Sequence, residues 1–326
     1  MLELRAGICE SAGVPAIAPD PDRAHTQRCP VCGGDDAERY KERSLTRALA
    51  PSDLAITDSN YGATLALRRC RQCSFIFAEG SDLSELLGLY ERLSDPGYEG
   101  SQDSRVLQMR WLIDRALRAR PGARTLLDIG AAAGLLVKLA RDQGLDAQGV
   151  EPSRDLVAAA ARLHDVELIQ GTVPHERLRG VRFDIVFLAD VIEHVPDPVR
   201  LLRDARDLVA PGGVLLVVTP DVGSLARRFL GKRWWHFRLA HVGYFDASSL
   251  AEACARAGLS VVSRLRAKWF FRVSYLAERV LRYLPMGAAE RLLRTTAVGR
   301  WIGDAVVPLN LFDSWAFVCK RDDDGY

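Results

Sequence analysis

The chain has 326 residues, 48% of them hydrophobic and 26% charged, with a formal net charge of +2. That length buries a full core with room for a smaller second unit, and the balanced charge gives no global case for binding nucleic acid or a membrane surface. No apolar run approaches the roughly 18 residues that span a bilayer, and no charged-then-apolar leader opens the sequence, so a cytoplasmic protein is expected.

Residues 1–24, containing SAGVPAIAPDPD, lack periodicity and have the composition of a flexible tail. Residues 25–81 carry two Cys-x2-Cys pairs, Cys29/Cys32 in RCPVCGG and Cys70/Cys73 in RCRQCSFIF. Thiolates so spaced can grip one ion from successive backbone positions. Four of them complete a tetrahedral zinc site, which replaces the core that so short a segment cannot build. The 37 residues between the pairs exceed the compact spacing and imply a zinc ribbon with an inserted hairpin or loop. A closed four-cysteine site keeps no open coordination position, so its expected role is structural. Cys9, Cys254 and Cys319 are scattered singles.

From 82 to 120, SDLSELLGLYERL and SRVLQMRWLIDRALRAR repeat apolar residues at helical spacing and predict connecting helices, closed by Arg120-Pro121-Gly122. Strand and helix then alternate through residues 121–326. RTLLDIG, DAQGVEP, VELIQG, FDIVFLAD, GVLLVVTP, LSVVSRLRA and DSWAFVCKR read as strands. AGLLVKLARDQG, SRDLVAAAARLH, PVRLLRDARDLVA and ASSLAEACARAG read as helices, the third ended by Pro211-Gly212-Gly213. The expected fold is α/β, a doubly wound parallel sheet. Such a sheet binds its ligand beyond the carboxyl ends of the strands, near the switch point.

In LDIGAAAG (Leu127 to Gly134), Gly130 and Gly134 let the backbone pass close to a ligand, and Asp128 puts an acceptor at the rim. A dinucleotide site would want GxGxxG; GAAAG does not supply it, so the ligand need not be a pyrophosphate. Glu151 in GVEPS, at the end of the next strand, can accept hydrogen bonds from both hydroxyls of a ribose. A nucleoside without a diphosphate points to S-adenosylmethionine (SAM).

In order and spacing, LLDIGAAAG, GVEPS, FDIVFLADVIEHV and LVAPGGVLLVVTPD resemble successive motifs of class I SAM-dependent methyltransferases over about residues 100–320. The resemblance implies a Rossmann-like sheet of seven strands whose last, about 313–320, inserts antiparallel. It places Asp128, Gly130 and Gly134 around the methionine end of SAM, Glu151 at the ribose, and Gly171, Thr172 and Val173 near the adenine. Ala132 stands where many members have glycine. A zinc segment before such a core is also similar to bacterial methyltransferases of sugar and secondary-metabolite pathways.

Methyl transfer from a sulfonium is an in-line displacement, so catalysis reduces largely to alignment and removal of the nucleophile's proton. In FDIVFLADVIEHVPDP, Asp190, Glu193 and His194 follow the apolar strand at spacing i, i+3, i+4, and a helical turn there would put all three on one side. Asp190 would lie beside the sulfonium, with His241 of AHVGYF on the same rim. Asp190, Glu193, His194 and His241 together are similar to the ExxEH…H metal set of small-RNA 2′-O-methyltransferases and ubiquinone-pathway O-methyltransferases. That implies a second divalent ion, Mg, Mn or Zn, holding an acceptor oxygen. Resembling enzymes also carry EHV without a metal; there His194 or His241 would be a base or an acceptor contact, or the charge would be structural. Asp197-Pro198 supplies a helix N-cap and a first helical proline.

Two inserts interrupt this domain. Residues 224–245 interleave five basic residues with Phe229, Trp234, Trp235 and Phe237, either a lid over a phosphate- or glycan-bearing acceptor or aromatics packed under a loop. Residues 268–312 carry amphipathic helical patterns, with nine Arg or Lys against three Asp or Glu over 264–304. They would suit a helical lid, a dimer face or peripheral contact with an anionic membrane. The leading expectation is O-methylation of a sugar, glycan or secondary-metabolite acceptor, with no nucleic-acid partner. C- or N-methylation of a nucleotide-linked sugar is the alternative within that class. A zinc-containing nucleic-acid-binding or scaffold protein is the alternative from another, and a zinc segment that is not strongly basic speaks against nucleic acid.

Overall fold

The computed structural model describes residues 28–55, 61–95, 102–272, 306–309 and 312–322. The expected tail at 1–24 lies outside them, as do most of the insert at 268–312 and with it the expected membrane contact. The first strands among the described residues are β1 (Ala37–Lys41), β2 (Leu67–Cys70) and β3 (Ile76–Ala78), joined antiparallel. Helices α1 (Leu86–Glu91) and α2 (Gln102–Ala119) follow.

The alternating region then builds β4 (Thr125–Ile129), α3 (Leu135–Asp142), β5 (Asp146–Glu151), α4 (Arg154–His164), β6 (Ile169–Gln170) and β7 (Phe183–Ala189). Next come α5 (Pro198–Asp207), β8 (Val209–Pro220), α6 (Leu225–Leu230), β9 (Gly243–Tyr244), α7 (Ala247–Arg256) and β10 (Leu259–Arg266). Last are β11 (Trp269–Arg272), β12 (Val306–Leu309) and β13 (Ser314–Arg321). Seven strands form one sheet in the order β10-β13-β8-β7-β4-β5-β6, with β13 antiparallel between β8 and β10 as the resemblance implies.

The central strands are mostly apolar because both of their faces are covered, with Asp128 of β4 and Asp184 of β7 as charged exceptions. Leu126, Ile185, Phe187 and Leu216 point to α2 and α3, packing with Leu112, Ile113 and Leu136. Their neighbours Leu127, Val186, Leu188 and Leu215 point to the opposite layer, against Leu202 of α5 and Leu250 of α7. Asp197 starts α5 by accepting the Arg200 N–H at 2.9 Å, with Pro198 at its first position. Ser153 starts α4 in the same way, through Leu156 N–H at 3.1 Å.

Three expectations change. The helix expected to run to Ala210 stops at Asp207, because Val209 already pairs with Phe183 of β7. The register then slips so that Ile185 faces Val214, and Pro211-Gly212-Gly213 is an irregularity within β8 instead of a helix stop. The insert at 224–245 is no free lid: its β9 completes a second sheet in the order β1-β2-β3-β9. Trp234 and Phe237 are buried with Leu67 and Ile76 of that sheet, whereas Phe229 is exposed. The described ends of the insert at 268–312 are strands, Trp269 opposite Leu309 and Arg272 opposite Val306, so residues 270–272, which open the pattern FFRVSYLAERVLRYL, are extended where a helix was expected. Consecutive aromatics favour an extended backbone there. Among the described residues no helix is long and apolar enough to cross a membrane.

Candidate active site and cysteine cluster

The four paired cysteines converge. Sγ of Cys29 lies 3.6 Å from that of Cys73, Sγ of Cys32 lies 3.5 Å from that of Cys70, and all four fall within 4.8 Å of one another. A zinc ion at about 2.3 Å from four sulfurs needs edges of about 3.8 Å. The two turns match: the Gly33 N–H donates to Cys29 O at 2.8 Å, and the Ser74 N–H to Cys70 O at 3.0 Å. Arg256 of α7 faces the same small cavity as Cys32 and Cys73, a cation beside a site that would carry excess negative charge. Donor type, spacing and surroundings therefore fit a structural zinc, which would be held by Cys29, Cys32, Cys70 and Cys73.

The carboxyl ends of β4 and β7 lie side by side where the winding of the sheet reverses, the place such folds bind ligands. Gly130 follows β4 with φ +78°, and a Cβ there would come within 2.5 Å of Val191 Cγ2, so only glycine fits. Glu151 ends β5 and braces the turn: its two oxygens accept the Ala132 N–H and the Ser153 N–H, each at 2.9 Å. Ala132 itself has φ +47°, and Gly134, at φ +75°, begins α3. Burial pushes Asp128 up to about 8, the Glu151 charge adding to the effect. Burial also pushes Glu151 up to about 7 against the pull of its two backbone donors. The Gly171 N–H donates to Glu151 O at 3.0 Å, which sets exposed Thr172 and buried Val173 beside the end of β5.

Beyond the end of β7, Glu193, His194 and His241 offer ligand atoms within 4.8 Å of one another. Asp190, expected with them, is not in that group. It has φ +57° and is exposed at the strand end, and the helical turn begins only at Ile192. The left-handed residue breaks the face that i, i+3, i+4 spacing assumed. Partial dehydration raises the Asp190 carboxyl, with His236 and Arg105 opposing and Asp313 adding. Glu193 accepts from Thr219 Oγ1 at 2.9 Å, and its Oε1 is buried without a partner, as is His241 Nδ1. Burial, with the Asp190 charge second, drives Glu193 well above the usual carboxylate range. Burial and the neighbouring His194 drive His241 well below the usual imidazole range.

His194 Nδ1 lies 2.9 Å from Ala240 O and 2.7 Å from the Tyr90 hydroxyl, which itself donates to Ala240 O at 3.2 Å. A carbonyl can only accept, so Nδ1 carries the hydrogen and Nε2 keeps its lone pair. Burial pulls His194 down to about 4, with the Ala240 carbonyl opposing and Arg238 assisting. Tyr90 and Thr219 were missed in the sequence. Tyr90 looks like one more residue of an amphipathic helix. Thr219 carried a signal, a hydroxyl at the carboxyl end of the apolar strand LLVVTP.

A family profile described as a methyltransferase domain matches residues 102–264. The chain belongs to that family. This SAM-dependent methyltransferase is 37% identical over 127 residues to the ubiquinone biosynthesis O-methyltransferase of Azorhizobium caulinodans, covering 37% of this chain and 50% of that protein. It is 31% identical over 125 residues to the protein of the same name from Pseudomonas paraeruginosa, 36% of this chain and 52% of that one. The chain thus spans about half the length of the curated relatives it matches. Among solved structures it is similar to a SAM-dependent methyltransferase from Archaeoglobus fulgidus at 17% identity and a TM-score of 0.46, covering 70% of this chain and 100% of that one. It is also similar to a sugar N-methyltransferase from Streptoalloteichus at 30% identity and a TM-score of 0.33, covering 37% and 51%.

Proposed function

We propose that this methyltransferase transfers the methyl group of SAM to a hydroxyl oxygen of a small acceptor of the secondary-metabolite or saccharide class. The observation that carries the reading is the convergence of Glu193, His194 and His241 beyond the end of β7, next to the turn assigned to SAM. The names of the curated relatives support oxygen as the methylated atom. Asp128, Gly130, Ala132, Gly134, Glu151, Thr172 and Asp190 would line the SAM half; His194 and His241, with Asp190 at the edge, would line the acceptor half.

In the displacement the acceptor oxygen bonds to the methyl carbon as the C–S bond breaks and its electron pair returns to sulfur. The hydroxyl proton passes to His194 Nε2, whose lone pair is free at neutral pH. An imidazole held down to about 4 is a weak base, so it suits a phenolic hydroxyl, ionising near pH 10 like tyrosine, better than a sugar alcohol.

The two orphaned buried atoms, Glu193 Oε1 and His241 Nδ1, favour a second reading in which Glu193, His194 and His241 hold a divalent cation. Bound there, such an ion would act as a Lewis acid on the acceptor oxygen. Both imidazoles are already in the neutral form a ligand requires.

Isotope-labelled SAM incubated with panels of catechols, phenols and nucleotide sugars, read by mass spectrometry, tests the class. O-methylated phenol is the expected product, and labelling of nucleotide sugars only at nitrogen or carbon would overturn the proposal. Metal analysis separates the two readings: one equivalent beyond the cysteine site, lost in His241→Ala, establishes the cation, and its absence leaves His194 as the base.

A further inference from the structure

We infer that the cysteine-bound unit is a positioning element for the acceptor half: the ion at Cys29, Cys32, Cys70 and Cys73 holds β3, and β3 holds His241. The inference rests on the zinc reading of those cysteines. Cys70 ends β2, and Cys73 precedes β3 by three positions. β3 pairs with β9, Ile76 opposite Tyr244 and Phe77 opposite Gly243. Val242, the neighbour of His241, is therefore held from both sides. Its N–H donates to Glu193 O at 2.8 Å, and its carbonyl accepts the Ala78 N–H at 2.7 Å. One residue thus ties together the turn bearing Glu193 and His194, the segment bearing His241, and the strand that follows the second cysteine pair.

Side chains repeat the connection. Phe75, just after the second pair, stacks with Phe77 at 6.1 Å and lies against Phe245 at 4.5 Å. A Cβ on Gly243 would come within 2.9 Å of the Phe75 ring, so that ring lies directly against the Gly243 backbone. Phe75 and Phe77 share a buried cluster with Cys29, Cys70 and Leu250, while Ile76 and Ala78 on the other face share one with Trp234, Phe237 and Tyr244. β3 has only three residues. So short a strand needs an anchor beyond its own ladder, and a metal supplies one. The SAM half stands on β4 and β5 of the other sheet.

The test is hydrogen exchange of the full chain before and after zinc removal by a chelator, with zinc content measured first. Exchange at residues 76–78 and 241–245 should quicken at least about tenfold, the range of ordinary coupling between sites. β4 and β5 should stay protected, and S-adenosylhomocysteine should bind within a few fold of its starting affinity. Unchanged protection at 241–245 overturns the inference while leaving the zinc, and loss of protection throughout β4 and β5 overturns it too. Protein that carries no zinc at the cysteines overturns both readings. Coupling is reciprocal, so Gly243→Ala, which touches no cysteine, should release zinc to a chromophoric chelator about ten times faster. Release at the parent rate counts against the inference.

Discussion

Replacing Glu151 with glutamine separates the jobs of its carboxylate. Each oxygen accepts one backbone N–H at 2.9 Å, from Ala132 and Ser153, which leaves further lone pairs for ribose hydroxyls. Glutamine offers a single oxygen, so one backbone donor loses its partner and the ribose meets an amide. Hydrogen bonds to a charged group are worth about 1.5–3 kcal/mol, so Glu151→Gln should bind S-adenosylhomocysteine about 10- to 100-fold more weakly. Protons sharpen the test. In the free cleft burial holds Glu151 up to about 7 and Asp128 up to about 8. At pH 7 roughly half of Glu151 and about nine-tenths of Asp128 therefore carry a proton. Ribose hydroxyls placed on Glu151 as proposed, and a ligand ammonium group beside Asp128, would favour the ionised forms. Binding should then release up to about one and a half protons per ligand, and about half a proton fewer in the variant. Affinity rises with pH up to about 8 and then flattens. Stability of the free protein runs the opposite way. Both folded values lie above the unfolded ones, so the contribution is full below about pH 4 and is lost as pH rises through 7 to 8. Calorimetry in two buffers of different ionisation heat measures the release. A heat independent of buffer at pH 7, or a glutamine variant that binds as tightly as the parent, refutes the placing of the ribose on Glu151.

Loss of the base in His194→Ala should lower turnover at least about 100-fold while S-adenosylhomocysteine affinity stays within a few fold, and near-normal turnover would retire the role. Tyr90→Phe removes the hydroxyl at 2.7 Å from His194 Nδ1. At about 1 kcal/mol for one hydrogen bond, turnover should fall about fivefold and the acid limb of its pH profile should shift, and an unmoved profile counts against the positioning. Ala132→Gly relieves a left-handed alanine at φ +47° and should raise stability by up to about 1 kcal/mol in denaturant unfolding. A less stable glycine variant would show that the turn carries no such strain.

The seven-stranded sheet was readable because its topology is written locally. Each strand is a short apolar run, each crossover a helix of period 3.6, and right-handed winding leaves few alternatives. Gly130 was readable because a tight turn at positive φ demands glycine, and Glu151 stood out as the carboxylate that closes the next strand. The four thiols were readable from spacing alone. β9 was not: it has two residues, Gly243 and Tyr244, and its pairing with β3 depends on Phe75 meeting Phe245 across the chain. Asp190 was grouped with Glu193 and His194 on the assumption of a helical turn, and a single left-handed residue undid that. Tyr90 reaches His194 only because α1 folds back on the site, which no local pattern records.

The identity of the atom that receives the methyl group tests the central claim most directly. Product formed from SAM with a 13C-labelled methyl group, purified and examined by carbon NMR, reports that bond. The account predicts a methyl bonded to oxygen, formed by the parent enzyme and abolished in the double variant His194→Ala, His241→Ala. A methyl bonded to nitrogen or carbon, or an oxygen-linked product that the double variant makes at the parent rate, would contradict it.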